Sequence, residues 1–224
     1  MSIRSALKIV ASRLPKRWQS ELKRLQFGRE IKKGRFRTDE KEFVILSTWV
    51  STGDWVLDIG ANIGHYTCRL SELVGSEGRV LAFEPVPDTF ELLASNVSRL
   101  MLRNVTLINM AASDETAVVG MNVPKFESGL DNYYMANITS GNCDLKVLTV
   151  SVDSLNIQEK VNFVKIDAEG HEISVLKGMR ALIERDHPIL VVEDNSPELR
   201  VLLAGLGYES RSMASSSNLI FQAK

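Results

Sequence analysis

Cysteine is scarce in this chain, with only Cys68 and Cys143 among 224 residues. The first falls in an expected helix and the second in a loop, so neither a disulfide framework nor metal-ligand spacing is implied. Long apolar runs are missing as well. No stretch approaches the ~18 residues of a membrane-crossing helix, and the N-terminus lacks the continuous apolar core and small-residue cleavage site of a secretory signal. A reducing cytoplasm is therefore the expected location. Repeats and low-complexity tracts are absent too. What remains, 44% hydrophobic and 25% charged residues, is ordinary for a water-soluble protein. The length allows one sizeable α/β domain and a short appendage.

The net charge of -1 conceals an asymmetry. Residues 1–37 carry twelve Lys or Arg against Glu21 and Glu30, a net of +10, which leaves -11 for the rest. Within that segment Ile3, Leu7, Val10 and Leu14, then Trp18, Leu22 and Leu25, recur every three or four residues, predicting two amphipathic helices either side of Pro15. The chain thus divides into a basic helical segment, 1–37, and a main domain, 38–224. Two uses of the segment stay open. It docks on an anionic membrane, giving a peripheral position at the inner membrane surface, or its apolar stripe packs on the main domain while its charges are solvated. Stacking aromatics are sparse here and the main domain is acidic, so no nucleic-acid partner is expected.

Beyond the segment, apolar stretches alternate with helical periodicity. Strands are predicted at 55–59, 79–83, 105–110, 161–166 and 189–192, with helices at 42–49, 64–74, 173–183 and 198–206 and one around Phe90, Leu93, Val97 and Leu100. This alternation implies a mostly parallel sheet covered on both faces. Two short strands around a serine-rich turn, 208–213 and 218–222, suggest an antiparallel hairpin at the edge. Apolar stretches at 117–123 and 145–152 flank the aperiodic segment 125–144, which contains Tyr133 and Tyr134 and is a candidate lid or substrate loop.

The most informative run is Val56-Leu57-Asp58-Ile59-Gly60-Ala61-Asn62-Ile63-Gly64, followed by Arg79-Val80-Leu81-Ala82-Phe83-Glu84-Pro85. A strand entering a glycine-pinned turn, with an acid ending the next strand, is a nucleoside-binding arrangement. A dinucleotide site needs G-x-G-x-x-G so that the backbone can approach a pyrophosphate. Here Asn62 stands at the second glycine and would obstruct one, whereas S-adenosylmethionine, with an amino-acid tail in place of a diphosphate, fits. Glu84 lies 24 residues after Gly60, near the roughly 20 expected of a ribose-binding acid.

A second dense cluster, Lys165-Ile166-Asp167-Ala168-Glu169-Gly170-His171-Glu172, follows the strand at 161–166. With the glycine turn, Glu84-Pro85 and Pro188-Ile189-Leu190-Val191-Val192-Glu193, it resembles the FkbM family of S-adenosylmethionine-dependent methyltransferases over roughly residues 50–195. The resemblance implies a class I methyltransferase, Rossmann-like fold and O-methylation of a hydroxyl on a sugar, glycolipid or other natural-product acceptor. Carried over residue by residue, Asp58, Gly60, Asn62 and Gly64 hold the methionine end, Glu84 the ribose, and Ser113 with Asp114 the adenine edge. An alcohol needs a base in reach during transfer. Asp167 is the first candidate, with Glu169 and His171 behind it. His65 and His187 are expected to be structural, and Tyr66 to pack its helix. Magnesium on Asp167, Glu169 and Glu193 is an alternative use of the cluster, although Lys165 could neutralise the same carboxylates without an ion. A nucleotide-dependent oxidoreductase and a non-catalytic cofactor-binding module are the competing readings.

Overall fold

The computed structural model describes residues 12–213 and 216–224. In chain order the elements are the helix Lys16–Lys32 (α1), Lys41–Ile45 (α2), the strand Trp55–Ile59 (β1), His65–Val74 (α3), Arg79–Phe83 (β2), Pro87–Arg99 (α4), Val105–Ile108 (β3), Ala111–Ser113 (β4), Val118–Asn122 (β5), Asn137–Thr139 (β6) and Leu145–Ser151 (β7). There follow Val161–Ile166 (β8), Glu172–Gly178 (α5), Arg180–Asp186 (α6), Ile189–Val192 (β9), Pro197–Gly205 (α7), Tyr208–Ser212 (β10) and Leu219–Ala223 (β11).

The main sheet has the order β10-β11-β9-β8-β1-β2-β3. Its five strands from β9 to β3 run parallel, and β11 pairs antiparallel with both β9 and β10. Side chains alternate between two faces, as the pleat requires. Leu57, Ile59, Val164, Ile166, Leu190 and Val192 pack with α5, α6 and α7, while Val56, Val80, Phe163 and Val191 pack with α2 and α3. Both faces are thus covered and the strands are apolar throughout. The mostly parallel α/β sheet with helices on both faces and an antiparallel C-terminal hairpin, expected from the sequence, is the one observed.

Strand order reverses at β1, with β2 and β3 on one side and β8 and β9 on the other. The register is level there: Ile59 partners Phe83 and Ile166, Phe83 partners Ile108, and Ile166 partners Val192. Gly60, Glu84, Asn109, Asp167 and Glu193 are the residues that come next, so five polar or conformationally special positions share one rim. This is the crevice where open parallel sheets bind ligands.

Three features depart from expectation. The segment 125–144 is not a plain loop, because β6 within it pairs antiparallel with β5 and completes a second, four-stranded sheet, β4-β7-β5-β6. Three residues are too few to show a period of two. The helix expected over 173–183 is two, α5 and α6. Its break falls where the chain presses on β4: a Cβ on Gly178 would stand 1.7 Å from the Ser113 carbonyl oxygen.

The third concerns the basic segment. Pro15 directly precedes α1, which lies along α4. Arg24 pairs with Glu91 at 2.8 Å, and Lys16 with Asp131 at 3.1 Å. Phe27 meets Phe36, which in turn packs on His65. The packed side is not the apolar stripe, however. Trp18, Leu22 and Leu25 point to solvent, because the polar and aromatic side makes the contacts. Ile3, Leu7 and Val10 lie outside the described residues.

Gly178→Ala is expected to lower stability by about 2 kcal/mol, a fall in melting temperature of roughly 4–8 °C, since backbone rather than a yielding side chain stands in the way. Gly205→Ala, where nothing lies within 4 Å, is the control and is neutral or slightly stabilising. Equal effects in a thermal melt would refute the close contact.

Candidate active site

The turn from β1 to α3 is left-handed at three positions: Gly60 at φ +78°, Asn62 at +49° and Gly64 at +96°. Gly60 is required twice over, by this conformation and because its Cβ would lie 1.8 Å from the Asp167 carbonyl oxygen. Backbone amides of Gly60 and Ala61 donate to the Phe83 carbonyl, and Asn96 Nδ2 donates to the Ile63 carbonyl at 2.9 Å. The turn is thereby tied to β2 and α4. Asp58, buried beneath it, accepts a hydrogen bond from the Thr67 hydroxyl of α3.

Glu84 leaves β2 with a carboxylate that is only 6% exposed. Its Oε2 accepts from the Asn62 amide and its Oε1 from the Val86 amide, both at 2.9 Å. Asn109 Nδ2 donates to the Glu84 and Pro85 main-chain carbonyls at 2.8 and 3.1 Å, so the residue after β3 holds the backbone that carries this carboxylate.

At the end of β8, buried Lys165 places Nζ 3.3 Å from Asp167 Oδ2 and 5.2 Å from the centre of the Tyr66 ring. The Tyr66 hydroxyl donates to Glu40 Oε2 at 2.6 Å. Two left-handed residues, Glu169 and Gly170, turn the chain into α5. Glu172 stabilises that turn: its Oε1 accepts from the Ala168 and Gly170 amides at 3.0 and 3.2 Å. His171 Nε2 is 2.8 Å from Ser113 Oγ, which donates to Asp114 Oδ1 at 3.1 Å.

These ends enclose a cavity of about 270 Å³, near the lower end of small-molecule sites. Of the candidate site residues from the sequence, Gly60, Asn62, Glu84, Asp167, Glu169, His171 and Glu193 line it. Asp58 faces a smaller adjoining space of about 80 Å³ together with Tyr66 and Lys165. Gly64, Ser113 and Asp114 line neither. Ser113 and Asp114 are turned toward His171, and Met110, Ala111 and Ala112 take the wall beside Glu84 instead. Sequence reading missed Glu40, for which no motif signals a role. It flagged the loop holding Tyr133 and Tyr134, both of which line the cavity.

The electrostatics are one-sided. Burial pushes Glu84 up to about 7 and Asp58 up to about 6. Desolvation first, and then the carboxylates of Asp167, Glu193 and Glu172, push Glu169 up to about 7. Glu193 is raised by desolvation and by Asp167, and His171 is lowered by desolvation. The magnesium alternative does not fit this geometry. Among the described residues no three His, Cys, Asp or Glu side chains converge as a ligand set, and the Lys165 ammonium stands beside Asp167. A nucleoside does fit, because a buried carboxylate with one donor on each oxygen retains acceptor capacity beside a glycine cradle.

The family model "Methyltransferase FkbM domain" matches residues 58–210. Hexuronic acid methyltransferase AglP of Haloferax volcanii is 33% identical over 141 residues, 62% of this chain and 55% of that protein. The chain therefore spans about half the length of this curated relative. An FkbM methyltransferase structure from Methylobacillus flagellatus superposes with a TM-score of 0.56 at 20% identity, covering 75% of this chain and 43% of that one. Aeropyrum pernix fibrillarin, solved with natively bound S-adenosyl-L-methionine, superposes with a TM-score of 0.51 at 15% identity, over 81% of this chain and 73% of its own.

Glu84 and Asp58 bind protons more tightly folded than unfolded. The stability they contribute is therefore present in full below about pH 4 and is lost as pH rises through about 6 to 7. Without ligand, the melting temperature of Glu84→Gln relative to the native chain should rise between about pH 5 and pH 8. A difference that stays flat in fluorimetric melts would mean that the carboxylate is not desolvated.

Proposed function

The chain belongs to the FkbM methyltransferase family, and from that premise we propose that it transfers a methyl group from S-adenosylmethionine to a hydroxyl of a sugar, glycolipid or related natural-product acceptor. The observation that carries this reading is Glu84. Its carboxylate is buried at the cavity wall, one amide on each oxygen, with capacity left for both ribose hydroxyls. The turn at Gly60, Asn62 and Gly64, underpinned by Asp58, takes the methionine end. The adenine edge lies against Met110, Ala111 and Ala112, in place of Ser113 and Asp114.

When bound, the cofactor supplies an electrophilic methyl group on a sulfonium. The protein's part is alignment, which for well-oriented reactants is worth roughly 7–11 kcal/mol, and removal of the hydroxyl proton. Asp167 is the base in this reading. It stands at the strand end beside the glycine turn, Lys165 pairs with one of its oxygens and Glu193 lies within hydrogen-bonding reach of its carboxyl group, and in this reading it accepts the proton as the carbon–oxygen bond forms and the carbon–sulfur bond breaks. His171 is less suited, being engaged by Ser113.

The acceptor's charge follows from the lining. Glu40, Glu84, Asp167, Glu169 and Glu193 face the cavity, and among the described residues neither Lys nor Arg lines it, Lys165 standing behind Asp167 in the adjoining space. A carboxylate on the acceptor would meet like charge. We therefore read the methylated ring as uncharged, unlike the hexuronic acid named for the Haloferax volcanii relative.

Three results are expected. Glu84→Gln weakens S-adenosylhomocysteine binding by roughly 10- to 100-fold, the loss of a charge-assisted hydrogen bond; calorimetry reads this, and a native chain that binds no S-adenosylhomocysteine defeats the proposal. Asp167→Asn slows methyl transfer by roughly 10²- to 10⁴-fold while leaving that affinity within about threefold. Neutral hexose acceptors outpace hexuronates by roughly tenfold or more in a labelled-methyl assay; the reverse order would show that the acidic lining does not select.

A further inference from the structure

We propose that α1 docks this protein on an anionic membrane surface through the outward face formed by Trp18, Leu22 and Leu25. These residues recur at i, i+4 and i+7 and so lie on one side of the helix. They are 63%, 47% and 53% exposed. The opposite side is fixed to the main domain through the Arg24–Glu91 pair and through Gly28, which lies against the Arg99 guanidinium. The apolar stripe is thus held outward on an already ordered helix, and docking carries no folding cost.

Charge identifies the occupant. Arg17, Arg29, Lys32, Lys33, Arg35 and Arg37 form no ion pair among the described residues. Arg17, Arg29 and Lys32 flank the stripe on α1 itself. An apolar stripe bearing a tryptophan and edged by cations matches an interface of acyl chains beneath anionic headgroups. Three side chains are too small a patch for the ~800 Å² per partner that a stable protein interface buries.

The same helix touches the wall of the cavity. Lys16 pairs with Asp131, and the Lys23 ammonium sits 4.4 Å above the Tyr133 ring, which lines that cavity. Docking would therefore hold the acceptor loop near lipid, where a glycolipid acceptor resides.

The test needs no methyl donor, so its outcome is independent of the proposed reaction. The full chain is sedimented with phosphatidylglycerol-containing vesicles and with pure phosphatidylcholine vesicles, with tryptophan emission recorded. Binding to the anionic vesicles with a blue shift is expected, weakened roughly tenfold or more both in Trp18→Ser/Leu22→Ser/Leu25→Ser and in Arg17→Glu/Arg29→Glu/Lys32→Glu. Unchanged melting temperatures would show that both variants fold. The proposal is overturned by absence of binding, by equal binding to phosphatidylcholine, or by binding that survives the apolar substitutions. It is also overturned if those substitutions instead dissolve a concentration-dependent dimer, because the stripe would then belong to a second copy of the chain.

Discussion

The passage of Gly60 beneath the carbonyl of Asp167 is the contact on which the rest of the site depends. Those two positions follow directly on Ile59 and Ile166, which are register partners in the sheet. The amide of Asp167 donates to the Ile59 carbonyl at 3.0 Å, and no side chain at position 60 would fit under the strand end. The glycine turn and the carboxylate at the end of β8 are neighbours only because this approach is so close. A methyl transfer that depends on alignment needs that proximity more than it needs any single polar group.

Around that contact the protein concentrates carboxylates and supplies one buried cation. Lys165 serves Asp167 and lies over Tyr66, while Glu84 and Asp58 are held mainly by hydrogen-bond donors rather than by positive charge. Burial therefore governs their protonation, pushing Glu84 up to about 7 and Asp58 up to about 6. A ligand that donates hydrogen bonds to Glu84 favours its ionised form. Under the proposed function an anionic acceptor would meet the opposite condition.

The basic segment shows how amphipathicity can mislead when it is read as a single face. In α1 the aliphatic and tryptophan stripe faces water, while Lys23, Arg24, Phe27 and Gly28 face the domain. Arginine and lysine stems cover apolar surface while their charged ends reach Glu91 and the Tyr133 ring. The long basic side chains thus make the intramolecular contact, and Trp18, Leu22 and Leu25 stay exposed among the described residues.

The sequence by itself determined the strand–turn–helix unit around Gly60, Asn62 and Gly64, the acid at position 84 and the parallel α/β order. These are local: a left-handed turn demands glycine, and a buried parallel strand demands an apolar run. It also marked the cluster from Lys165 to Glu172, but not how its members divide. Glu172 became the clamp of its own loop through amides two and four residues before it, while Ser113 became the partner of His171 and Glu40 a wall of the cavity because those two depend on which distant segment is brought against them. The pairing of β6 with β5, the break between α5 and α6 and the outward stripe of α1 were likewise decided only in the folded chain. Three-residue pairings, backbone collisions and the choice between two competent helix faces leave no periodic trace in a sequence; they exist only once the elements are packed.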